Sequence, residues 1–168
     1  MSVLTFLDII GIQRFVFASN RLRDVVGGSL LVQDAAKKWL VELGAGDHII
    51  VAAGGNAALR FGDKDQAKTF ASRFSRRLMD RAPGLDVVIV HQPYDEGELA
   101  TALLALQVKI AAAKTARRPS AALCGLGVTE RCRETGLVAG AIDEGMPVAT
   151  GVAARRGYLR KHGDLSGT

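Results

Sequence analysis

HIIVAAGGNAALRF, residues 48–61, reads as two strands joined by a tight bend. His48 to Ala53 and Ala57 to Phe61 supply the strands. Gly54-Gly55-Asn56 supplies the bend, because positive φ is cheap for glycine and tolerable for asparagine. Working outward, VLTFLDII at 3–10 is β-rich and almost wholly apolar, the pattern of a strand buried on both faces. Its one acid, Asp8, belongs at the strand's mouth, since a buried carboxylate without a partner is costly.

Between these strands, Ile12, Phe15, Val16 and Ser19 follow a short helical spacing. Gly27-Gly28-Ser29 is expected to open a second helix, whose apolar face carries Leu31, Ala35 and Trp39, the last a core residue. That helix should stop at Gly44-Ala45-Gly46. Lys64 to Arg81 is the clearest helix, with Ala67, Phe70, Ala71, Phe74 and Leu78 on one face and Pro83-Gly84 after it. Leu85 to His91 reads as a fourth strand, and Glu96 to about Lys114 as an Ala/Leu-rich helix. Beyond Pro119 the chain is Gly-rich. Leu123 to Val128 has the composition of a strand, and Val148 to Lys161 that of a helix or an extension.

The order β-α-α-β-β-α-β-α is a split βαβ arrangement. The fold class expected is α+β, of ferredoxin-like topology. Its antiparallel sheet has four to five strands, with helices mainly on one face. Residues 1–118 form this domain and 119–168 a basic extension. In this topology the end of the first strand lies beside the hairpin, which brings Asp8 and Gly54-Gly55-Asn56 into one place.

With 48% hydrophobic and 23% charged residues, the chain can bury an ordinary core. No apolar run is expected to reach the ~18 residues that span a membrane, and the N-terminus does not read as a signal peptide. The expectation is a soluble, cytoplasmic protein with no membrane partner. Cys124 and Cys132 fit no common zinc spacing. The net charge is +5, with ten Lys/Arg against four acids between Lys109 and Lys161. That imbalance fits phosphate or RNA contact through Lys114, Arg117 and Arg118, and equally a solvated face.

An acid at a strand mouth beside a glycine bend is an arrangement that can hold a metal ion and a triphosphate. The carboxylate takes the metal, and the glycines let backbone approach phosphate. Gly27-Gly28 at a helix start would add N–H groups for an anion.

LDIIGIQRFVFASNRLRDVVGGSLLVQDA (7–35) followed by VAAGGNAALRF (51–61) resembles the first cyclase-homology palm of the large subunit of type III CRISPR effector complexes. The matching elements are Asp8, Gly11-Ile12-Gln13, Leu22-Arg23-Asp24, Gly27-Gly28-Ser29 and Gly54-Gly55-Asn56. The resemblance is specific over 3–61 and only topological from 62 to 118. It implies that residues 1–118 are a GGDEF-like palm, with a role in antiviral defence and a nucleotide site for ATP with Mg²⁺. That site would be formed by Asp8, Gly11, Gly28, Ser29, Gly54, Gly55 and Asn56, with Asp8 as the metal carboxylate and Ser29 near the purine. The partners implied are a second palm or a GGDD-bearing chain, and guide-RNA effector subunits. Asn56 and Ala57 stand where an active loop of the family has two acids, so the palm is expected to bind nucleotide without catalysing alone. The alternatives are an active minimal cyclase making cyclic oligonucleotides, and a non-enzymatic RNA or protein scaffold.

Overall fold

The computed structural model describes residues 2–95, 97–116 and 127–163. The expected strand at Leu123–Val128 falls largely outside them, as do Arg117, Arg118 and Cys124. The described chain forms two compact units. One comprises residues 1–10, 33–78 and 86–118, and the other 11–32, 79–85 and 119–168.

The first unit is built on a four-stranded antiparallel sheet in the order β2-β3-β1-β4. The strands are β1 (Ser2–Ile10), β2 (Ile49–Ala53), β3 (Asn56–Phe61) and β4 (Asp86–Tyr94). β1 lies between β3 and β4, with Leu7 opposite both Ala57 and Ile89. A central strand is covered on both faces, which explains its near-continuous apolar run. Side chains alternate across it. Val3, Thr5 and Leu7 share a face with Leu59 and Phe61. On that face Phe61 meets Phe70 of α4 (Lys64–Arg81), ring centroids 5.4 Å apart, and Phe70 meets Phe74 at 5.9 Å. α3 (Lys38–Glu42) is tied to α4 by Glu42 and Arg77, 2.7 Å apart. Leu4 and Phe6 point the other way and pack with Val90, Tyr94, and Ala102 and Leu106 of α5 (Leu99–Ala116). Leu4, Leu7, Leu59 and Leu78 are fully buried, each stabilising the fold by about 1.5–3 kcal/mol. Trp39 is in the core, as expected.

Three expectations shift. The bend is Gly54-Gly55 alone. Asn56 starts β3, because its backbone pairs with Ala53 on one side and Asp8 on the other. β4 runs on to Tyr94, since Val90 and Tyr94 are held beneath α5. α5 has 18 residues with a mean hydropathy of 1.3, so among the described residues one helix is long and apolar enough to cross a membrane by length and composition. It carries Lys109 and Lys114, and its outer side exposes Leu104 and Val108.

In the second unit, α1 (Ile12–Val16) follows Gly11, and α1 is followed by α2 (Leu22–Ala36), whose residues 22–32 belong to this unit. A hairpin of β5 (Ala141–Asp143) and β6 (Met146–Val148) leads into α6 (Thr150–His162). Of the two readings of 148–161, helix or extension, the helix is the one present, whereas the hairpin before it was not foreseen. Cys132, Val148, Ala149 and Val152 form its small core. α2 begins at Leu22, not at Gly27. Ser19 Oγ accepts from Arg21 N–H at 3.2 Å and donates to Asp24 at 2.6 Å, which fixes the first turn there.

Candidate functional site

Asp8 closes the inner stretch of β1 and stands directly opposite Asn56, the first residue of β3. One residue on, Ile9 N–H donates to the carbonyl of Gly55 at 2.9 Å. Gly54 and Gly55 have φ of 62° and 92°. Both being positive, a two-residue bend of this kind needs glycine or a close substitute at each place. A Cβ built on Gly54 would meet nothing within 4 Å. The bend therefore leaves open space at Gly54, and the expected juxtaposition of Asp8 with Gly55 and Asn56 is present.

Asp8 is buried, and its charge is matched by a group that strand topology did not reveal. Lys114, near the end of α5, makes an ion pair from Nζ to Asp8 Oδ2. The sheet face carrying Leu4 and Phe6 also carries Asp8, and α5 crosses that face. The end of α5 thus delivers an ammonium to the acid. Lys114 keeps about half its side chain exposed (46%), so it is reachable from solvent while paired.

Asp63 and Asp65 do not join this corner. Asp63 Oδ1 accepts from the N–H groups of Asp65 and Gln66 at 2.9 and 2.8 Å, capping α4 at the opposite end of β3. Among the described residues no three His, Cys, Asp or Glu side chains are placed to share a metal ion. Mg²⁺ does not fit the donor set at Asp8. Asn56 and Ala57 offer no second carboxylate, and an ammonium already sits on Asp8.

The other sequence-derived candidates lie in the second unit. Gly11 caps α1 with φ 72°. Gly27 and Gly28 are inside α2, where their N–H groups are beyond the free first turn. They are small because α6 lies against them. A Cβ on Gly27 would sit 2.2 Å from the carbonyl oxygen of Arg155, and one on Gly28 would sit 3.0 Å from Arg155 Cδ. The expectation of an anion-binding helix start there is overturned. Ser29 Oγ donates to the carbonyl of Val25 at 2.9 Å, a bond within its own helix.

A charge cluster in the same unit went unread in the sequence. Arg156, almost fully buried, reaches Asp24 at 2.7 Å, Glu134 at 3.0 Å and Asp143 at 3.3 Å. Burial alone would raise the Asp24 carboxyl, but the bonds from Arg156 and Ser19 outweigh it and hold it below its ordinary value. Asp143 follows the same logic, with Arg160 and Arg156 overcoming burial. Glu134 is lowered chiefly by its bond from Arg156. This is a satisfied structural network, in which each buried charge has a partner.

Two depressions lie away from Asp8. One, of about 410 Å³, follows the outer side of α4 and is lined by Lys68, Thr69, Ser72, Arg73 and Arg76. The other, of about 480 Å³, is bordered by His48, Phe61, Gln66 and Phe70. Across the β1–β4 ladder, Thr5 Oγ1 and His91 Nδ1 are 2.9 Å apart. Burial and the nearby Lys68, Lys64 and Lys109 push His91 below its ordinary pKa.

The strand order β2-β3-β1-β4, the helices packed on it and the glycine bend beside an acid define a palm-like α+β fold. Among the solved structures that share it are Csm1–Csm4 assemblies. A Csm1–Csm4 cassette in complex with pppApApA matches 69% of this chain at 22% identity and TM-score 0.52, over 19% of that chain's length. The Csm1–Csm4 subcomplex in the type III-A CRISPR-Csm interference complex matches 68% at 21% identity and TM-score 0.51, over 18% of its chain. A cassette in complex with one ATP matches 68% at 20% identity and TM-score 0.51, again over 18%. At this identity the likeness establishes the fold, and the matched region is about a fifth of those chains. No family model and no curated protein matches the sequence.

Proposed function

We propose that this chain is an ATP-binding palm of a type III CRISPR effector large subunit, or of a related antiviral protein, that does not catalyse alone. One observation carries the reading. Asp8, Asn56 and the Gly54-Gly55 bend meet at one corner of the sheet, with open space over the bend and an ammonium at the carboxylate. Such a corner suits a phosphate chain, because glycine lets backbone come close and lysine binds phosphate as a point charge. The fold's likeness to a Csm1–Csm4 cassette solved with ATP supports the choice of nucleotide. The lack of an acid at 56 and 57 supports binding without turnover. A second palm or a GGDD-bearing chain would then supply the catalytic carboxylates, and other effector subunits would be the remaining partners.

The test is calorimetry with ATP, followed by incubation with labelled ATP and Mg²⁺ or Mn²⁺. Saturable binding with no oligoadenylate product is expected. Product formation would select the minimal cyclase, and absence of any binding would remove the nucleotide reading.

The row of Lys68, Arg73 and Arg76 along α4 favours a second reading as an RNA-docking scaffold. Under it, RNA binds with a steep salt dependence while ATP does not bind.

A further inference from the structure

We infer that Lys114 takes the place of the metal ion in this palm, so that the site receives the phosphates of its nucleotide without a divalent cation. The inference rests on the nucleotide reading and adds to it the means by which phosphate charge is met.

The observations are three. Asp8 faces an amide, Asn56, across one ladder and Val88 across the other, so no acid stands directly opposite it. Its Oδ2 is already taken by the Lys114 ammonium. Lys114 is half-exposed and comes from a helix that lies across the same sheet face.

Charge balance makes the substitution sensible. Two carboxylates with Mg²⁺ sum to zero, and one carboxylate with one ammonium sums to zero as well. An ammonium has three N–H donors. One serves Asp8, and the others remain for ligand oxygens, giving charge-assisted bonds to phosphate. Asp8 thereby becomes the group that positions Lys114 rather than a metal ligand. Mg²⁺ arriving at Asp8 would be set beside a positive charge at ion-pair distance, an unfavourable contact in a partly buried place. It would have to displace Lys114, and the residue directly opposite on β3 offers an amide in place of an acid.

The experiment is titration of the whole chain with ATP in EDTA and again in Mg²⁺, for wild type, Lys114→Met and Lys114→Arg. Circular dichroism confirms that each variant is folded. Wild-type affinity should agree between the two buffers within about twofold, Lys114→Met should weaken binding in EDTA by about tenfold or more, and Lys114→Arg should restore most of it. Binding that needs Mg²⁺ and is indifferent to Lys114→Met would overturn the inference and leave the nucleotide reading standing. No binding in either buffer would overturn the nucleotide reading, and this inference with it.

Discussion

Asp8 and Asn56 are cross-strand partners, one at the end of the central strand and the other where the glycine bend re-enters the sheet. In antiparallel sheets such partners hold their Cβ atoms about 5 Å apart. Whatever stands at 56 therefore decides whether Asp8 has an acid or an amide directly opposite it on β3. With asparagine there, Lys114 supplies the charge that balances Asp8.

Asn56→Asp should install the second carboxylate. Without metal, two like charges directly opposite destabilise by roughly 0.2–1 kcal/mol. Mn²⁺ should relieve this and raise the melting temperature of the variant but not of wild type. Thermal melts with and without Mn²⁺, alongside Mn²⁺ titration by electron paramagnetic resonance, check it.

Gly27→Ala tests why α2 carries paired glycines. Alanine is the better helix former by about 1 kcal/mol. Its methyl would nevertheless lie 2.2 Å from the Arg155 carbonyl oxygen, a backbone atom that cannot swing away. The steric effect should win, giving net destabilisation of about 1–3 kcal/mol, measured by urea unfolding.

Arg156→Met should be more damaging. It leaves Asp24, Glu134 and Asp143 without their shared cation, and Asp24 and Asp143 are buried. Breaking a buried pair from one side costs about 3–5 kcal/mol. The readout is again urea unfolding, with Arg156→Lys as an intermediate case, because a point charge cannot serve three carboxylates as a guanidinium does.

The same cluster sets an acid limit. The carboxyls of Asp24, Glu134 and Asp143 are all lower in the folded chain than in ordinary solution. Lowered folded pKa values give stability that is complete above the unfolded value of about 4 and is lost as pH falls through the folded values. His91, also lowered, adds a contribution of the same sign that begins to fade as pH falls below about 6.5. Unfolding free energy measured from pH 7 to pH 3 should fall in two stages. In Arg156→Met the lower stage should shrink.

Much of the first unit was legible because its signals are local. β1 announces itself by an apolar run, α4 by its 3.6-residue spacing from Ala67 to Leu78, and the hairpin by Gly54-Gly55. Ferredoxin-like topology then brings Asp8 to Asn56. What stayed hidden are contacts made by long side chains between elements distant in sequence. Nothing in the text around Lys114 names Asp8, and nothing around Arg156 names Asp24. Gly27-Gly28 misled for a related reason. A glycine pair at a helix start and one packed under another helix look alike until α6 is in place. The β5–β6 hairpin left a trace in Asp143-Glu144-Gly145, where Glu144 takes φ 51° and is held by Arg23 at 2.8 Å.

We expect nucleotide phosphates to settle at the corner of Asp8, Asn56 and the Gly54-Gly55 bend. Amide chemical-shift mapping by nuclear magnetic resonance on titration with ATP should then show the largest shifts at Gly54, Gly55, Asn56 and Asp8, with attendant change at Lys114. Shifts concentrated instead along Lys68, Arg73 and Arg76 of α4, with the glycine bend unmoved, would contradict it.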